Sequence, residues 1–135
     1  MKRSDAREQA FCLVFEKFFT DEPIPEIIEM ANSVRDQVTD DFAIKIAEGV
    51  IANLEIIDQT IEKHSTSWKV NRISRVALAI LRVSVFEILL MEDIPDSVSI
   101  NEAVELSKKF GGDEDSSFVN GVLGAVVREK EAIQQ

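Results

Sequence analysis

The sequence predicts an all-α protein, and three observations carry that expectation. Apolar residues recur at three- and four-residue spacing almost throughout, alternation of apolar and polar residues never persists, and the breaks between periodic stretches hold residues that start and stop helices. About six helices are expected, or seven if the stretch STSWKVN contributes a turn, packed as one compact bundle.

The first helix should begin near Ser4, a good N-cap, and run to about Phe19 with Ala6, Ala10, Leu13, Val14 and Phe18 on its apolar face. The run DEPIP breaks it, because proline lacks an amide donor and restricts the residue before it. A second helix is expected from about Pro25 to Val38, with Ile27, Ile28, Ala31 and Val34 inward. Thr39 or Asp40 can cap a third, long helix reaching about His64, with Ile46, Val50, Leu54, Ile57 and Ile61 inward. Lys63 and the single histidine, His64, then lie at its partly negative C-terminal end, where cations are stabilised.

STSWKVN reads as a loop or single turn. Beyond it, Ser74 to Glu92 contains RVALAILRVSVFEILLM, apolar nearly all round, which marks a central helix buried on most sides. Arg82 and Glu87 interrupt it, and each must reach a partner or the surface, since unpaired buried charge is very costly. Ile94-Pro95-Asp96 ends it. Ser99 to Glu102 (SINE) has the form of a capping box, so the next helix should start at Ile100 and stop at Gly111, a ready C′ residue. The last helix should start around Asp115 or Ser116, present Phe118, Val119, Val122, Leu123 and Val126 inward, and fade into REKEAIQQ. Gly121 and Gly124 each cost a helix about 1 kcal/mol. Three residues apart, they are expected to mark the close approach of another helix.

At 135 residues a single domain, 1–135, is expected. The one cysteine, Cys12, cannot form an internal disulfide and lies among Phe11, Leu13 and Val14, which fits a buried structural thiol in a reducing cytosol. Met1 to Ala10 has no apolar signal-peptide core, and Val76 to Met91 falls short of the about 20 residues that span a bilayer. A soluble, cytoplasmic protein with no membrane partner is expected.

The net charge of −10 argues against non-specific nucleic-acid binding, which needs clustered cations. The charge is unevenly distributed, however. Residues 1–62 carry 6 basic and 14 acidic side chains and residues 87–135 carry 4 and 11, whereas Lys63 to Phe86 holds Lys63, Lys69, Arg72, Arg75 and Arg82 without an acid. This island either pairs with its acidic surroundings or forms a limited basic site. One His and one Cys make no metal-ligand set, and GGDED follows a helix with acids that would repel phosphate. No carboxylate pair is placed in an apolar cleft. Neither catalysis nor a cofactor is expected; the sequence reads as a binding domain.

INEAVELSKKFG at 100–111, a short acidic turn, and FVNGVL at 118–123 resemble the C-terminal signature of the NusB family of bacterial transcription antitermination factors. AREQAFCLVFEKF near the start, EIIDQTIEKH at 55–64 and RISRVALAILRVSVFEIL after Trp68 fall in the family's order, so the resemblance covers essentially the whole chain. It implies an all-helical fold of two packed halves. It also implies a role in which the protein, with ribosomal protein NusE, binds the boxA element of nascent ribosomal RNA within the RNA polymerase antitermination complex.

On that resemblance the RNA-binding candidates are Lys2, Arg3, Arg7, Lys108, Lys109, Phe118 and Asn120. Single-stranded RNA is held by aromatic stacking, base-edge hydrogen bonds and phosphate contacts. Phe118 either stacks a base or belongs to the core; Asn120 either bonds a base edge or is a surface residue; Asn101 and Glu102 are assigned to capping. The family's arginine-rich N-terminus is represented only by Lys2, Arg3 and Arg7, with Asp5 among them, which implies an RNA surface completed by a basic partner. The acidic balance would steer such a partner. The competing reading is a protein-interaction module, monomeric or homodimeric, without direct RNA binding.

Overall fold

The computed structural model describes residues 1–35, 38–65 and 69–134. Among these residues the chain forms α1 (Arg3–Glu16), α2 (Ile24–Arg35), α3 (Asp41–Ala52), α4 (Leu54–His64), α5 (Arg75–Leu90), α6 (Asp96–Phe110) and α7 (Asp113–Gln134), with a 3₁₀ turn at Val70–Arg72 and no strand. The all-α expectation holds. Of STSWKVN, Thr66 to Trp68 lie outside the described residues; its last part forms the single turn.

The fold is organised around α5, which packs against α1, α3, α4, α6 and α7. Ala79, Ile80, Leu81, Val85 and Ile88 on it are completely buried. Each large aliphatic side chain removed from water contributes about 1.5–3 kcal/mol, so this helix anchors the core. Arg82 and Glu87, the two charged residues inside it, are both paired, as required, while Arg75 at its start is exposed. Arg82 donates from Nε and NH2 to the two Asp58 carboxylate oxygens of α4 at 2.9 and 2.8 Å. Glu87, 1% exposed, accepts from Arg7 Nε of α1 at 2.8 Å. Desolvation pushes the Glu87 carboxyl up from its ordinary pKa, and the Arg7 guanidinium only partly offsets that rise.

Several boundaries differ from the expected ones. Lys2, not Ser4, occupies the cap position of α1 and makes no side-chain cap. The chain leaves α1 after Glu16, where Phe18 and Phe19 amides bond three residues back to Phe15 and Glu16 carbonyls and tighten the end. Val34, expected inward, is 79% exposed. The long third helix is two helices, separated at Asn53 with φ −119° and ψ 22°. The Asn53 side chain donates to the Gly49 carbonyl at 2.8 Å, the local alternative to helical bonding that asparagine offers. Asp40 does cap α3, accepting from Phe42 N at 2.8 Å. Cys12 is half-buried against the core rather than fully buried.

The expected capping box does not form. α6 starts at Asp96, a turn earlier, because the Pro95 carbonyl already accepts from Val98 N and Ser99 N. Ser99 is buried with its hydroxyl 3.5 Å from Glu87 Oε1, and the Glu102 carboxylate turns to α1 instead. At Gly111 the helix does stop, but φ is −112°, not left-handed. Glycine gives the corner room: a Cβ would sit 3.0 Å from the Ser107 carbonyl and 2.5 Å from Asp115 Oδ2, which would have to turn aside. α7 begins at Asp113, so that three acids fill its first turn, where the helix dipole favours them, and it continues through the polar tail to Gln134. No other helix approaches Gly121 or Gly124 among the described residues: a Cβ at Gly121 meets nothing within 4 Å and one at Gly124 meets only Arg128 NH1 at 3.3 Å. The close approach is at Gly49 of α3, where a Cβ would overlap the Phe86 ring of α5.

Candidate nucleic-acid interface

Helix α6 lies between α1 and α7 and separates the candidate RNA-binding residues into two groups. Along one flank, Ser4 Oγ donates to Glu102 Oε1 at 2.8 Å, Lys109 Nζ donates to Glu8 Oε1 at 2.6 Å, and the Phe11 and Phe110 rings meet at 4.9 Å. Partners ascend together in both helices, so α1 and α6 run parallel along this seam. At its start Lys2 is exposed, and the Arg3 guanidinium lies 4.0 Å from the centre of the Phe42 ring. A guanidinium stacked this way keeps its N–H edge available for an anion. Toward its end, Lys108 and Lys109 are both exposed. Lys108 has only a loose contact with Glu105 at 3.8 Å, whereas the hydrogen bond to Glu8 raises the Lys109 pKa.

Arg7 does not belong on this surface. It is 3% exposed, its Nε is held by Glu87, and its NH1 lies 3.9 Å from Glu102 Oε1. The expectation that Arg7 offers a phosphate contact is therefore corrected: a buried guanidinium neutralises a buried carboxylate instead.

On the other flank, Phe118 of α7 is half-buried. It packs on the core and also lines a surface cleft with Arg72, Ile73 and Ala77 on one side and Glu114 and Asp115 on the other. Ser74, which caps α5 by accepting from Ala77 N at 3.1 Å, also lines the cleft and lies 3.4 Å from both Asp115 carboxylate oxygens. Core support and a cleft-facing ring are thus combined in one side chain. Asn120 is exposed, but residues two apart on a helix do not share a face, so it does not join Phe118 in the cleft.

Two features lie outside the RNA-binding residues expected from the sequence. Arg72, exposed on the 3₁₀ turn, is the cation that shares the Phe118 cleft; its signal was membership of the acid-free stretch from Lys63 to Phe86. The end of α1 carries an aromatic group in which Phe15 meets Phe18 at 6.1 Å and Phe19 at 5.4 Å. Arg75 lies over Phe19 at 5.1 Å, and Phe19 is 62% exposed. Among the described residues no group of His, Cys, Asp and Glu is placed to hold a metal ion, and no helix is long and apolar enough to cross a membrane.

The chain as a whole is similar to known proteins of one family. The transcription antitermination protein NusB of Clostridium novyi (strain NT) is 42% identical over 132 residues, covering 95% of this chain and 99% of its own. The solved structure of T. maritima NusB has a TM-score of 0.82 at 31% identity, covering 100% of this chain and 99% of its own. The chain in a crystal structure of antitermination factors NusB and NusE in complex with dsRNA has a TM-score of 0.84 at 26% identity, with 94% and 96% coverage. The NusB family model matches residues 4–128, and with that match the chain belongs to the NusB family.

Proposed function

We propose that this chain is a non-enzymatic cytoplasmic factor in transcription antitermination and ribosomal RNA biogenesis that binds boxA-type single-stranded RNA together with ribosomal protein NusE. The observation that carries the RNA reading is the cleft shared by Phe118 and Arg72: an aromatic ring fixed by core packing beside an exposed guanidinium. That pairing suits a stacked base and its phosphate. Lys2, Arg3, Lys108 and Lys109 supply further cations along the α1–α6 flank. The acids Glu114 and Asp115 in the cleft weaken the pull of Arg72 on a phosphate and leave carboxylate acceptors for base amino groups. Affinity for RNA alone should consequently be modest, with the basic partner supplying the remaining charge. The exposed Phe19–Arg75 pair offers the aromatic and arginine anchors common at protein interfaces.

The test is titration of labelled boxA-like RNA in the presence of NusE with wild type, Phe118→Leu and Arg72→Ala. Leucine retains core burial and removes the stacking face, so Phe118→Leu should weaken binding by about 1–3 kcal/mol if a base rests on the ring. Arg72→Ala should flatten the dependence of log K on log salt by about 0.7, one single-strand phosphate contact. Folded variants that both bind as tightly as wild type would remove this cleft as the site.

A further inference from the structure

The Glu102 carboxylate, in the INEA motif, performs no capping on its own helix and reaches across to the first turns of α1. It accepts from Ser4 Oγ at 2.8 Å and stands 3.9 Å from Arg7 NH1. Ser4 and Arg7 are three residues apart and share one face of α1. This matters because α1 starts without a side-chain cap: Lys2 is at the cap position and supplies no acceptor. An uncapped helix end has unsatisfied amides and frays. The Glu102 side chain, 26% exposed, sits beside that end, where it both ties Ser4 down and places negative charge near the positive pole of the helix.

We propose that Glu102 is a positioning residue for RNA binding: it fastens the first turns of α1 to α6 and thereby holds Lys2 and Arg3 in place for phosphate. Arg7 is the inner half of the same fastening, fixed below by Glu87 and touched above by Glu102. Arg3 then leaves the helix start with its guanidinium stacked on Phe42 rather than free to sweep through solvent. The inference rests on the proposed RNA binding, and in particular on the basic arm taking part in it.

Charge and positioning predict opposite signs. Removing an acid from beside an RNA surface should, by charge alone, tighten binding. Loss of positioning should weaken it. Labelled boxA-like RNA is titrated, with NusE present and over a salt series, against full-length wild type, Glu102→Ala, Glu102→Gln, the pair Lys2→Ala/Arg3→Ala, and that pair combined with Glu102→Ala. Circular dichroism first verifies that each is folded, and Glu102→Gln, which keeps an acceptor for Ser4, serves if alanine disturbs the fold. Glu102→Ala should weaken binding about three- to tenfold and flatten the salt dependence by up to about 1.4, two single-strand phosphate contacts. Glu102→Gln should restore most of the affinity, and Glu102→Ala should add nothing to the arm variant. If the arm variant is weakened while Glu102→Ala binds as well as or better than wild type, the positioning role is wrong and the arm reading survives. An effect of Glu102→Ala that adds fully to the arm variant also overturns it. If the arm variant itself binds like wild type, the arm takes no part and the proposal falls with it.

Discussion

Arg7 and Glu87, 80 residues apart in the chain, meet at 2.8 Å inside the protein, with side chains 3% and 1% exposed. The contact joins α1 to the central α5, and it turns a residue that looks from sequence like part of a basic arm into part of the core. A buried pair of this kind has a definite mutational signature. Removing one partner leaves an uncompensated buried charge and costs about 3–5 kcal/mol, whereas replacing both with apolar residues of similar volume is close to neutral. Arg7→Met should therefore lower the urea midpoint strongly, and Arg7→Met/Glu87→Leu should recover most of the loss. A double variant as unstable as the single one would show that the pair is needed for more than mutual neutralisation.

A second prediction concerns pH. Glu129 of α7 holds Lys63 Nζ at 2.9 Å and lies 2.9 Å from His64 Nε2, both at the end of α4. The hydrogen bond from Lys63 is the main cause that holds its carboxyl below the ordinary glutamate value, and His64 adds to it. A carboxylate depressed in the folded state contributes stability above its unfolded pKa and loses it as pH falls through the folded value. Glu129→Gln should be less stable than wild type at neutral pH, by a small amount because the pair is solvent-screened. The difference should close in acid, below the ordinary glutamate pKa. Urea unfolding of both proteins across pH 3–7 measures it. A difference that stays constant to the acid end would show that Glu129 contributes through packing and not through charge.

These residues also show what was legible in the sequence. The helical class and the central place of α5 could be read because periodicity is local and RVALAILRVSVFEILLM leaves no polar face for solvent. The split at Asn53 could not, since an asparagine is tolerated within a helix and its side-chain bond to the Gly49 carbonyl leaves no pattern in the sequence. At α6 two start signals compete. Ser99 and Glu102 fit a capping box, but Pro95 begins the helix a turn earlier, while Ser4 and Arg7 draw Glu102 away. For the candidate cleft, Phe118 carried its own signal within FVNGVL. Arg72 was marked only as part of the acid-free stretch, and nothing local joined it to Phe118, because the cleft they share joins segments far apart in the chain. The burial of Arg7 is likewise set by a partner 80 residues away, which no local pattern reports.

Gly49 gives a third prediction. It lies where α3 meets α5, and a Cβ there would overlap the Phe86 ring. Phe86 is only 6% exposed, so the ring has little room to withdraw. Gly49→Ala gains helix propensity of about 1 kcal/mol on α3. Overpacking of about 1–3 kcal/mol should outweigh it and give a net loss. Combining it with Phe86→Leu should relieve the clash, so the second substitution should cost less in the alanine background than in wild type. Denaturant midpoints of the four proteins complete the cycle, and a Gly49→Ala variant more stable than wild type would mean that α3 simply shifts away.

The last prediction runs against the usual expectation that loss of an ion pair impairs a protein. Lys109 is exposed, stands on the candidate RNA surface, and donates to Glu8 Oε1 at 2.6 Å. That contact raises the Lys109 pKa, so the lysine stays protonated, yet it also occupies the ammonium with a neighbouring carboxylate. A phosphate approaching Lys109 must compete with Glu8 and is repelled by it. Exposed ion pairs contribute little to stability, so Glu8→Gln should leave the melting temperature nearly unchanged. It should instead tighten boxA-like RNA binding with NusE present by about two- to fivefold at low salt. The dependence on salt should steepen toward one additional single-strand phosphate contact, about 0.7 in slope. Lys109→Ala in the Glu8→Gln background should abolish that gain, whereas an equal gain without Lys109 would assign it to general charge reduction. If Glu8→Gln weakens binding, the Glu8–Lys109 contact holds the α1–α6 seam in the geometry that RNA requires, and Lys109 is not the cation that receives the phosphate.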